Sequence, residues 1–90
     1  MSVAEEIRRR LAVLEPVQLE LIDESARHAG HAGARPGGNT HWRLAIVSPA
    51  FAGKSTVARH RMIYEALGPL MQDPIHALAI HARAPDERHT

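Results

Sequence analysis

Ninety residues with 44% apolar content make one domain, and at this size folding buries only around 60–65% of the surface the unfolded chain exposes. With Trp42, Phe51 and Tyr64 as its aromatics, the chain must pack mainly through aliphatic side chains. A formal net charge of +1 argues against a dedicated nucleic-acid binder, and the lack of cysteine excludes disulfides and any thiolate metal site of the chain's own.

Ser2 and Glu5 have capping-box spacing, and Val3, Ile7, Leu11 and Leu14 then recur on one helical face. Pro16 stops that helix. Val17, Leu19 and Leu21 alternate with Gln18 and Glu20, the period of a half-buried strand. Residues 26–40, rich in Gly and Ala with Pro36, Gly37 and Gly38 near the end, read as a loop long enough to carry function. A second strand follows, with Trp42, Leu44 and Ile46 on one face and Arg43 on the other. Pro49 to Gly53 is a turn, and Ser55 caps a second helix whose stripe is Ile63, Leu67 and Leu70. Gly68-Pro69 interrupts that stripe, and Pro69 begins a further short turn of helix. Residues 75–82 form a third strand, with His76, Leu78 and Ile80 expected on one side. The domain is expected to span 1–84, followed by a polar, frayed tail over 85–90.

This order, αββααβ, predicts an α+β protein in two layers: a three-stranded mixed sheet with helices on one face. The last strand, reached by a helical crossover, should run parallel to its neighbour. No apolar run approaches the roughly 20 residues of a membrane span. A signal-peptide core is not seen near the start, and Glu5, Glu6 and Glu15 do not suit a transit peptide, so a cytoplasmic protein is expected.

Ala52-Gly53-Lys54-Ser55-Thr56 looks like the end of a P-loop, but Ser48 stands where the motif needs its first glycine and Pro49 removes a backbone amide. A helix N-cap explains the segment. No serine sits in a nucleophile elbow, so a non-enzymatic protein is expected. Seven histidines are the chemical signal. His28 and His31 fall in the Gly-rich loop, where imidazole could reach a metal, although loop histidines are commonly just solvated. His76 opens a strand and would be partly buried. His60 is assigned to packing, His41 and His81 to strand surface, and His89 to the tail.

Four segments in order carry a family resemblance. They are Asp23-Glu24-Ser25; Thr40-His41-Trp42; Ser48-Pro49-Ala50-Phe51-Ala52-Gly53-Lys54-Ser55 running into Arg59-His60-Arg61-Met62-Ile63-Tyr64; and Pro74-Ile75-His76-Ala77-Leu78-Ala79-Ile80-His81. With these the chain resembles the BolA family from about Ile7 to Arg83. The resemblance implies a fold similar to a class II KH domain. It also implies pairing with a monothiol glutaredoxin and a [2Fe–2S] cluster shared between the two. By the same resemblance one cluster ligand matches His76 and a second, from the loop, matches His28, with His31 as its nearby substitute.

The donor set is consistent with that implication. Histidine can replace cysteine on one iron of a [2Fe–2S] cluster, and a chain without thiols needs a companion to supply the thiolates, here a glutaredoxin cysteine and its bound glutathione. No cluster is expected in the isolated protein, which should be a monomer or a weak homodimer. The competing expectation is a DNA-binding regulator, since some BolA proteins are so described. The GXXG clamp of KH domains is missing, but Lys54, Arg59 and Arg61 could line a basic edge for nucleic acid or for partner docking. Plain zinc or copper binding through His28, His31 and His76 is a third possibility.

Overall fold

The computed structural model describes residues 2–25 and 38–87. Helix α1 (Val3–Leu11) starts where expected: the Ser2 hydroxyl accepts from the Glu5 amide at 3.1 Å, and the Glu5 carboxylate accepts from the Ser2 amide at 3.0 Å. Glu5 and Glu6 occupy its first turn and Arg8, Arg9 and Arg10 its last, which suits the helix dipole. Glu6 holds both Arg9 and Arg10 in ion pairs. A short 3-10 turn, Ala12–Leu14, follows, and Glu15 in the left-handed conformation ends it before Pro16.

Strand β1 (Gln18–Asp23) pairs antiparallel with β2 (His41–Val47), and β2 pairs parallel with β3 (Ala77–Arg83), so β2 is the central strand. Register sets Leu21, Leu44 and Ile80 in one row and Leu19, Ile46 and Ala82 in the next, all on the helical side. The rows of opposite parity, such as Glu20, Ala45 and His81, point away from it. Helix α2 (Thr56–Leu67) starts at Ser55, whose hydroxyl accepts from the Ala58 amide at 3.1 Å. It supplies Ile63 and Leu67 to a core completed by Ile7, Leu11, Trp42, Leu44, Ile46, Phe51 and Ile75.

The α+β architecture is as expected, and the element order is compatible with a KH-like arrangement: the 3-10 turn Gly68–Met71 stands in for the short helix after α2. β1 ends at Asp23, paired with Trp42 of β2. β3 begins at Ala77 rather than 75. In the segment past Pro85, the Glu87 carboxylate accepts from both terminal nitrogens of Arg59 at 2.7 and 2.6 Å. No described helix is long and apolar enough to cross a membrane.

Candidate functional site

Two histidines distant in sequence meet where β2 and β3 begin. The rings of His41 and His76 lie with centroids 5.5 Å apart and planes tilted by 49°. Strand alternation places His76 beside Leu78 and Ile80 and leaves His41 at the surface; the structure reverses both. His41 is only 7% exposed, whereas His76 is exposed. The cause is a backbone irregularity. The Thr40 carbonyl accepts from the amides of both His76, at 2.7 Å, and Ala77, at 3.1 Å. Successive amides in a regular strand point in opposite directions, so sharing one acceptor breaks the period of two just ahead of β3.

The same corner is tied to the end of β1. The Ser25 hydroxyl oxygen accepts from the amides of Thr40 and His41 at 2.9 and 3.1 Å, and the Thr40 hydroxyl contacts His41 Nδ1 at 2.8 Å. Asp23 accepts from the amides of Ser25 and Asn39. Partial burial pushes the Asp23 carboxyl up, but its hydrogen bonds to the Ser25 side chain and amide and to the Asn39 amide outweigh it, with His41 contributing, and hold it below the usual range. Gly38 has φ +81°, and a Cβ there would stand 3.1 Å from the Asp23 carboxylate, so this position suits glycine on both counts. Asn39 also has positive φ, and its carbonyl receives the Trp42 indole N–H at 2.8 Å. Ser25 and Gly38, which flank residues 26–37, are thereby brought together beside His41.

Of the candidate ligands, His76 is open at this corner, while His28 and His31 lie outside the described residues. Among the described residues no three His, Asp or Glu side chains converge as a metal site. The corner offers imidazole nitrogen and no sulfur. That donor set fits an iron–sulfur cluster in part only: imidazole can occupy positions on one iron, and the thiolates must come from another molecule.

The candidate basic edge is divided. Lys54 and Arg61 are exposed. Arg59 is turned inward, its side chain 12% exposed, and donates to the carbonyls of Lys54 at 2.9 Å and Ala82 at 3.1 Å as well as to Glu87. His60 packs edge-on to Tyr64 with ring centroids 6.3 Å apart, in keeping with the packing role assigned to it. Sequence reasoning missed the buried His41. The signal available was its position directly after Thr40, a hydroxyl neighbour able to satisfy a buried ring nitrogen.

These features define a small α+β domain that presents a strand-entry histidine and no thiol of its own. The chain belongs to the BolA family: the family model described as BolA-like protein matches residues 11–87. It is 45% identical over 91 residues to SufE-like protein 1, chloroplastic/mitochondrial, of Arabidopsis thaliana, covering 97% of this chain but only 24% of that protein. It is 40% identical over 82 residues to the DNA-binding transcriptional regulator BolA of Escherichia coli strain K12, covering 90% of this chain and 74% of the relative. Among solved structures, the BolA domain of SufE1 from Arabidopsis thaliana superposes with TM-score 0.85 at 46% identity, over 98% of both chains.

Proposed function

We propose that this chain is a non-enzymatic partner of a monothiol glutaredoxin and contributes histidine ligands, His76 and His28 or its neighbour His31, to a shared [2Fe–2S] cluster, in iron–sulfur assembly, trafficking or iron regulation. The observation that carries the reading is the exposed His76 ring at a corner that also gathers both flanks of the histidine-bearing segment, in a chain without cysteine. The likeness to a SufE-like protein supports an iron–sulfur setting. Bound there, the cluster would supply iron coordination and redox capacity. This chain's own contribution is to hold His76 by its backbone and leave its ring open to a partner. Two neutral imidazoles in place of thiolates would also raise the cluster's reduction potential.

Mixing the protein with a monothiol glutaredoxin, glutathione, iron and sulfide should give a heterodimer whose visible absorption and circular dichroism differ from those of the glutaredoxin homodimer. His76→Ala should abolish that difference while the far-ultraviolet spectrum of the free protein stays the same. An unaltered cluster spectrum in this variant would exclude His76 as a ligand. Ligation requires unprotonated imidazole, so cluster retention is expected to weaken on acidification.

The second reading, a DNA-binding regulator, rests on the name of the Escherichia coli relative and on exposed Lys54 and Arg61. It requires specific binding that persists against competitor DNA and weakens with salt. Sequence-blind retardation alone would remove it.

A further inference from the structure

One carboxylate site in this fold is already filled by the chain itself. The Arg59 guanidinium donates from its two terminal nitrogens to the two Glu87 carboxylate oxygens at 2.7 and 2.6 Å, and the Ala84 amide adds a third bond at 2.9 Å. Arg59 is also held without Glu87. Its Nε donates to the Lys54 carbonyl at 2.9 Å and a terminal nitrogen donates to the Ala82 carbonyl at 3.1 Å, which ties the guanidinium fork to the start of α2 and to β3. The two side chains differ in exposure, 12% for Arg59 and 40% for Glu87. The receptor is thus seated in the fold, and its occupant lies on the solvent side.

Vacating such a site is unfavourable, but exchanging its occupant is not. Ala84 is 1% exposed, so without an anion its amide would be left buried and unmatched, and a little-exposed guanidinium would lose the carboxylate it pairs with. A carboxylate from elsewhere restores each of those bonds, because a planar two-oxygen group is what the fork matches. Glu87 competes from close by. Its amide bonds the Ala84 carbonyl at 3.1 Å and its own carbonyl accepts from Arg83 at 2.8 Å, a short tether that gives its carboxylate a high effective concentration. An incoming chain must therefore bring more than one acid. Lys54, whose carbonyl the fork holds, is exposed, and it and Arg83 supply further positive charge.

We propose that the cradle formed by Arg59 and the Ala84 amide is a docking site for an acidic peptide segment of a partner protein, with Glu87 as the intramolecular occupant that the segment displaces. The cradle lies beyond the end of β3 remote from His76, and it requires no shared cluster, so the two sites can be tested separately.

The test is titration of the full chain with a tetraglutamate peptide, with tetraglutamine as the uncharged control, followed by calorimetry and by NMR of the Arg59 side-chain N–H groups. Glu87→Ala should bind the acidic peptide at least about 10-fold more tightly than the wild type, the factor by which a competitor seated about nine-tenths of the time weakens apparent affinity. In the wild type, saturating peptide should shift the Glu87 carboxyl carbon signal as that group leaves the fork. Adding Arg59→Lys to Glu87→Ala keeps the positive charge but removes the fork, and should weaken peptide binding again. Glu87→Gln gives the same comparison if alanine disturbs the fold. Equal affinity for wild type and Glu87→Ala, or no loss on adding Arg59→Lys, overturns the proposal, because the peptide would then be held elsewhere. A wild-type Glu87 signal that never moves also overturns it, since the ion pair would be a fixed prop. Displacement of Glu87 by inorganic phosphate but not by the peptide overturns the assignment to carboxylates.

Discussion

Phe51→Ala is expected to lower the unfolding free energy by about 3–5 kcal/mol, a large fraction of the roughly 5–15 kcal/mol that holds a small domain folded. Phe51 is fully buried although it arises from a turn rather than from a helix or strand. The turn is constrained from both sides. The Ser48 hydroxyl accepts from the Ala50 amide at 3.1 Å and donates to the Leu14 carbonyl, and the Phe51 amide bonds the Ser48 carbonyl at 3.1 Å. The aromatic ring thus joins a core built from α1, β2 and α2, and the fixed turn cannot readily collapse into the space its removal would leave. At about 4–8 °C per kcal/mol for a domain this size, Tm should fall by more than ~10 °C. Urea unfolding followed through Trp42, which is 5% exposed and the chain's one tryptophan, provides the measurement. A midpoint that barely moves would show that Phe51 is not a central support of the core.

The second large effect concerns the clasp between α2 and the segment after β3. Arg59 holds Glu87 through two parallel hydrogen bonds and also donates to the Ala82 carbonyl, while the Ala84 amide donates to the Glu87 carboxylate at 2.9 Å. The Ala82 carbonyl belongs to β3, an edge strand whose outward-facing groups need covering, and Arg59 supplies the cover. The hydrogen bonds from the Arg59 guanidinium, with that of the Ala84 amide, hold the Glu87 carboxyl down to about 2, against an ordinary 4.5. Because the folded value lies below the unfolded one, the clasp stabilises fully above the ordinary glutamate range, and that stabilisation is lost as pH falls toward 2. Stability measured between neutral pH and pH ~3 should therefore decline more steeply for the wild type than for Glu87→Gln, the gap between the two curves narrowing toward the acid end. Arg59→Ala should lower Tm at neutral pH and make the same decline shallower, since the largest cause of the low Glu87 value is then gone while the Ala84 amide remains. Parallel pH profiles for wild type and Glu87→Gln would show that the ion pair adds no stability.

Read from sequence, Arg59 joins Lys54 and Arg61 in a basic edge; in the structure its charge is neutralised by Glu87, which leaves Lys54 and Arg61 exposed. A DNA-binding reading must therefore manage with less positive surface than the sequence suggests. The glutaredoxin reading does not draw on Arg59 for ligation, since its donors are nitrogen atoms at the other features of the chain.

What the amino-acid order determined by itself are the features that depend on near neighbours or on what is missing. The Ser2–Glu5 cap, the Ser55 cap, the Ile7–Leu11 and Ile63–Leu67 stripes and the alternation of Trp42, Leu44 and Ile46 all follow from spacing along one helix or strand. The absence of cysteine needs no fold at all to rule out a self-contained thiolate site. Tertiary structure decided the site. His41 is buried and His76 exposed because Ser25, Thr40 and His76 come together from three separated segments, and one carbonyl shared by two amides cancels the alternation on which strand-based reasoning relies. Arg59 likewise meets Glu87 from 28 positions away. Periodicity encodes which face of an element is apolar; it carries no information about which distant polar group will reach across to meet it.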